Sequence, residues 1–195
     1  MPKKKTAPPI ELDELLAAEF NYIVQTATQA NEDRARIASF YLIAVGSLVA
    51  TILGTQFFDL QQFTPTAKLL FSGIFILLTL MGTSTIVQLA RLRASWYESM
   101  LAMNQLKGFM IRQSPELASA LRWTNDTLPD KYKTDSISYF QAREAAVLSG
   151  ITFGTAVYFI EFALGVTGTA IWIWAFALAI IVAFTQMRIY KNILN

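Results

Sequence analysis

Glu161 is the one charged residue inside four long apolar runs of this chain, and any intramembrane ion, proton or ligand chemistry would have to start from it. A charge in hydrocarbon is costly, so such residues usually mark a pathway or a binding site. Depth supplies a competing reading. Glu161 stands shortly before Gly165, roughly 6 Å below the end of its helix by the helical rise. Water, headgroups or an outer-edge donor such as Lys68 or Thr167 can reach it there.

Little other chemistry is open to the chain. It contains no histidine and no cysteine. That excludes thiolate nucleophiles, disulfides, a Ser-His-Asp relay, ordinary zinc sites and the commonest haem ligand. Carboxylates remain the only proton carriers or metal ligands. Asp126, Asp130 and Asp135 lack the spacing and central glycine of an EF-hand loop and are assigned to turns and helix starts. Glu98, Glu116 and Glu144 are the acids that a lipid-processing enzyme would need near the inner surface. No glycine-rich phosphate loop, Gly-x-Ser-x-Gly elbow or paired catalytic carboxylate motif accompanies them. The expectation is a protein that is not an enzyme, with no catalytic residue, cofactor or metal.

Three further groups have suggestive spacing. Thr83, Ser84, Thr85 and Gln88 could line a wet path, or simply bond the backbone and pack. Gly150 and Gly154 form a GxxxG, with Ala146 and Ser149 on or beside the same face. Glycines at this spacing let helices approach closely, either in a homo-oligomer or against an Ala-rich neighbour in the same chain. Trp96, Met100, Met103, Leu106 and Met110 recur at helical steps, as a partner-binding face or as core filling.

The elements that position these groups follow from the apolar runs, at 37–58, 69–90, 145–165 and 169–187. The hydrocarbon layer is roughly 30 Å thick, so about 20 apolar residues in a helix cross it. The chain therefore reads as an all-α integral membrane protein with four transmembrane helices. Of the sixteen Lys and Arg residues, all but Lys68 lie on one side of these runs. Cytoplasmic flanks collect Lys and Arg, which places both termini in the cytoplasm and the protein in the cell membrane.

The expected organisation has five parts. Residues 1–36 form a cytoplasmic tail and amphipathic helix, with Leu12, Leu16, Phe20, Ile23, Ala27 and Ala30 at steps of three and four. Residues 37–90 form the first transmembrane pair and 91–144 a cytoplasmic helical insert. Residues 145–187 form a transmembrane hairpin and 188–195 a cytoplasmic tail. No Gly or Pro separates 12–36 from the first run, and none stands between 91 and 107, so both helices should continue out of the bilayer. Thr64 and Pro65 should start the second span, and Phe57, Phe58 and Phe63 should anchor its outer end. Ser114-Pro115-Glu116 should start a short helix reaching about Trp123, and Ser136 should cap the approach to the third span.

Lys3 to Lys5 could touch anionic headgroups. The basic residues are otherwise interleaved with acids, all of the fourteen except Asp59 and Glu161, so no nucleic-acid partner is implied. In layout, a cytoplasmic helix, two spans, a cytoplasmic helical insert and two more spans, the chain resembles the four-span membrane effectors of bacterial nucleotide-signalling defence systems. That resemblance implies an oligomeric channel or pore. The residues themselves favour a non-enzymatic protein that acts by assembly, as a scaffold or accessory subunit, whose partners are the lipid bilayer and either further copies of itself or another membrane protein.

Overall fold

The computed structural model describes residues 12–54, 63–121, 123–124 and 127–195. The Lys3–Lys5 tail, the end of the first run with Phe57 and Phe58, and Asp126 lie outside them. Every long element among the described residues is an α-helix: α1 (Leu12–Gly54), α2 (Pro65–Gln113), α3 (Ile137–Ala163) and α4 (Thr169–Leu194), with a 3-10 turn at Pro115–Ser119. All four α-helices are long and apolar enough to cross a membrane.

Local chemistry accounts for their ends. Asp13 and Glu14 open α1, where carboxylates favour the positive end of the helix dipole. With nothing to break it, α1 runs 43 residues without interruption. Thr64 caps α2 by accepting the amide of Ala67 at 3.2 Å, ahead of Pro65 in the first helical position. Gly108 does not end α2, which continues to Gln113. The next segment departs from expectation. Ser114 makes no side-chain cap, and the turn is 3-10 and stops at Ser119, well short of Trp123. Ser136 does cap α3, accepting from the Tyr139 amide at 3.2 Å.

Between α3 and α4 the chain reverses within a few residues. Gly165 and Gly168 hold φ of 81° and 83°, a left-handed region that side chains with a Cβ rarely occupy. These two positions make the tight hairpin possible.

The chain divides into two compact units, one of Met1–Ala30 with Ser95–Pro129 and the other of Asn31–Ala94 with Asp130–Asn195; α1 and α2 contribute to both. In the first unit Ile23, Ala27, Ala30, Ser99, Met103 and Asn104 are buried. Asn104 donates to the Thr124 carbonyl at 3.0 Å, tying α2 to the loop that follows it.

The second unit is a helical bundle with a core of Tyr41, Val45, Phe75, Leu78, Ile86, Leu89, Ala146, Ala156, Phe159 and Tyr190 among others. Phe63, Phe71, Phe159 and Phe75 stack in succession at 5.4 to 5.9 Å along one end. The most apolar stretches of α3 and α2 are 44% and 39% buried and those of α4 and α1 only 17% and 11%, so the first two carry most of the core. Outward faces carry Ile43, Leu70, Leu77, Leu80, Ile173, Phe176 and Phe184, all exposed. An apolar exterior of this kind is compatible with a lipid surrounding.

Candidate functional site

Two polar clusters lie within the bundle unit. In the first, hydroxyls and one amide converge from all four helices. Ser149 and Thr152 are three residues apart on α3, and Thr79 and Thr83 four apart on α2, so each pair shares a helix face. Gln186 Nε2 donates to Ser149 Oγ at 2.7 Å and to Thr83 Oγ1 at 2.8 Å. Ser149 Oγ in turn donates to the Thr79 carbonyl at 3.2 Å, and the Thr79 and Thr152 hydroxyls are 3.0 Å apart. Tyr41 brings its hydroxyl in from α1. A Cβ built on Gly82 would lie 2.6 Å from both the Tyr41 oxygen and Ser149 Oγ, so the absence of a side chain at 82 makes room for both groups.

The cluster is nearly, not wholly, satisfied. Gln186 Oε1 is buried and makes no hydrogen bond, and Tyr41 Oη, buried beside Ser149 and Thr152, has no partner in good hydrogen-bond geometry. Hydroxyls and a carboxamide can orient helices and bind polar groups, but none of them titrates near neutrality. The chemistry on offer is hydrogen bonding rather than acid-base catalysis.

The second cluster sits just beyond the apolar stretches. Arg34 on α1 donates Nη1 to Ser138 Oγ on α3 at 2.6 Å. Arg93 on α2 donates Nε to the Lys131 carbonyl at 3.1 Å, with Nη2 3.5 Å from that of Asp130, which fastens the segment leading into α3. Tyr190 of α4 is buried nearby, and Tyr132 packs edge-on against Tyr139 with Lys191 Nζ 5.5 Å from its ring centre. Burial lowers the pKa of Arg34, and the positive charge of Arg93 lowers it further.

Burial also pushes the Tyr190 phenol up to about 12, against the pull of Arg93 and Arg34 and with a push from Tyr132. This has a measurable sign. From its ordinary 10.0 to about 12, folded Tyr190 keeps a proton that the unfolded chain has released. Stability is therefore whole below pH 10 and falls as pH rises through this window, by up to about 1.4 kcal/mol per unit. Melting curves in mild detergent at pH 9 and 11 should show a drop that Tyr190→Phe reduces but does not abolish, since burial also raises Tyr132. An equal drop in the variant rejects this assignment.

The residues singled out from sequence are distributed as follows. Glu161 has one carboxylate oxygen buried without a hydrogen-bond partner. Lys68 does not reach it; its Nζ lies 3.5 Å from the centre of the Phe162 ring. Gly150 and Gly154 face α4, where a Cβ would come within 2.5 Å of the Ala179 carbonyl oxygen and 2.7 Å of that of Ala175. Trp96, Met100, Leu106 and Met110 are half-buried and Met103 is buried. Of the polar group on α2, Thr83 joins the central cluster, Thr85 is buried, and Gln88 bonds Ser84 at 3.0 Å on an exposed face. Gln186 and Tyr41 carry no motif. The available signal for Gln186 was its standing as the only carboxamide in the fourth apolar run.

No protein-family model, curated protein or solved structure matches the chain.

Proposed function

We propose that this chain is a multi-pass membrane protein with both termini in the cytoplasm, and that it acts by assembly, as a scaffold or accessory subunit, through the helical segments outside the bilayer. The observation that carries this reading is the apolar stripe of α1. Ile23, Ala27 and Ala30 are buried, whereas Leu12 and Phe20 of the same stripe, further toward the N-terminus, are 50% and 40% exposed, and Leu15 beside them is 52% exposed. Asp13, Glu14 and Glu19 are interspersed with them, so this end of the helix suits an aqueous layer and not the hydrocarbon. An apolar stripe left open in water is a contact surface for another helix. The positive-inside distribution of Lys and Arg supports the orientation.

In mild detergent the protein should run larger than one chain. Replacing Leu15 and Phe20 with Glu should weaken that association at least tenfold, since burying one such side chain contributes roughly 1.5–3 kcal/mol. Light scattering on the eluted peak measures both. A wild-type monomer with no co-purifying partner would overturn the proposal.

Glu161 favours a second reading, an oligomeric channel in which this half-buried carboxylate, one oxygen of which has no hydrogen-bond partner, attracts permeating cations. Flux across liposomes separates the two, because a scaffold leaves the bilayer tight.

A further inference from the structure

The close approach of α3 and α4 at Gly150 and Gly154 leaves a groove along their outer side. It consists of two depressions, of about 490 and 440 Å³, that share Ile151, Phe176 and Ala179. The second runs from Tyr139 and Arg143 at its mouth to that waist, over a floor of Ala146, Ala179 and Ala183. Its walls are exposed Val147, Ile180 and Phe184. We propose that this depression holds one acyl tail of an anionic phospholipid, whose phosphate pairs with Arg143.

Length, volume and charge agree on that occupant. Arg143 to Ile151 spans about 12 Å at 1.5 Å per residue, and half of the hydrocarbon layer is about 15 Å. The depression thus reaches from the interface to near the middle of the bilayer. A methylene occupies about as much space as a water molecule, about 30 Å³, so the volume takes on the order of fifteen of them, one fatty-acyl tail.

The charge stands at the end where a headgroup would be. Arg143 is exposed and lies with its guanidinium carbon 5.2 Å from the Phe140 ring centre. Neither of the ion pairs Asp33–Arg36 and Lys133–Asp135 involves it, and no carboxylate among the described residues is paired with its fork. Glu144, the adjacent acid, projects about 100° round the helix. Arginine binds phosphate in a bidentate manner. Lipids with a neutral headgroup lack the net negative charge that would complement this mouth. The site requires only that the chain span a bilayer, and it is independent of whether the chain assembles.

Native mass spectrometry of the full chain, released from nanodiscs holding equal amounts of phosphatidylglycerol and phosphatidylcholine with identical tails, tests this directly. Wild type should retain phosphatidylglycerol at least tenfold over phosphatidylcholine. Arg143→Gln, on an exposed position, should bring that ratio close to one. Ile151→Trp, which blocks the waist, should reduce retention of both lipids. Equal retention by wild type, or an unchanged ratio in Arg143→Gln, overturns the proposal. So does efficient disulfide cross-linking of two Val147→Cys chains across the groove, which would make a second copy the occupant; the natural absence of cysteine makes that experiment unambiguous.

Discussion

Gly150→Ala and Gly154→Ala should each lower the melting temperature of the purified protein by several degrees, and Gly150→Leu should keep α3 and α4 from closing. A Cβ on Gly150 would lie 2.5 Å from the carbonyl oxygen of Ala179, and one on Gly154 2.7 Å from that of Ala175. Both obstacles are main-chain atoms inside α4. Neither can swing aside as a side chain would, so the helices themselves must separate. Overpacking of this kind costs typically 1–3 kcal/mol, and about 1 kcal/mol shifts the melting point of a chain this size by roughly 2–4 °C. Controls are built into the same sequence. A Cβ on Gly46 of α1 or Gly73 of α2 would meet nothing within 4 Å. Alanine there should be neutral or stabilising by up to about 1 kcal/mol, through helix propensity alone. If all four alanine variants melt alike, the α3–α4 contact is not the one described.

What was legible in advance, and what was not, divides along a physical line. Helix starts and turns depend on neighbours in the chain. Thr64 and Ser136 each bond the amide three residues on, and Gly165 and Gly168 adopt the positive φ that their short connection requires. All of these could be anticipated from a few consecutive residues. Ser114-Pro115-Glu116 offered the same local signal and yielded only a 3-10 turn, because the serine hydroxyl makes no cap. Contacts between helices depend on rotation about each axis, which composition does not specify. Lys68 and Glu161 looked like natural partners by depth, yet the ammonium settles on the Phe162 ring. Thr83 was visible as polar, but its partner Gln186 lies 103 residues away and could be identified only with both helices in place.

The same distinction explains why the two polar clusters matter differently. Arg34 and Arg93 reach across to Ser138 and to the carbonyls of Lys131 and Asp130, so they fix where α3 begins relative to α1 and α2. The central cluster fixes rotation. A turn of α4 by one residue, about 100°, would carry the Gln186 amide away from Ser149 and Thr83, and a like turn of α3 would carry Ser149 away from Gln186 and Thr79. Such bonds are worth only about 0.6 kcal/mol on average between membrane helices. Their contribution is less to stability than to selecting one packing from several of similar apolar area.

Gly82 is where that selection can be tested most sharply. Gly82→Ala places a methyl 2.6 Å from Ser149 Oγ, 2.6 Å from the Tyr41 hydroxyl and 2.7 Å from Ser149 Cβ. Ser149 is the hub of the cluster, accepting from Gln186 and donating to the Thr79 carbonyl, so moving it breaks two bonds as well as overpacking the interface. The single substitution should cost about 2–4 kcal/mol, the sum of an overpacking penalty and two weakened bonds. Ser149→Gly alone should also destabilise, by removing the hub and adding a helical glycine. Together the two changes exchange the small residue across the contact. The methyl on α2 then occupies space vacated on α3, and only the far end of the Tyr41 side chain remains to shift. The double variant should therefore be more stable than the sum of the single effects predicts, by about 1 kcal/mol or more, because groups in direct contact are not additive. Thermal or denaturant melts of the four proteins in one detergent close the cycle. Strict additivity would mean that residues 82 and 149 do not meet, and would remove the central cluster as the device that sets helix rotation.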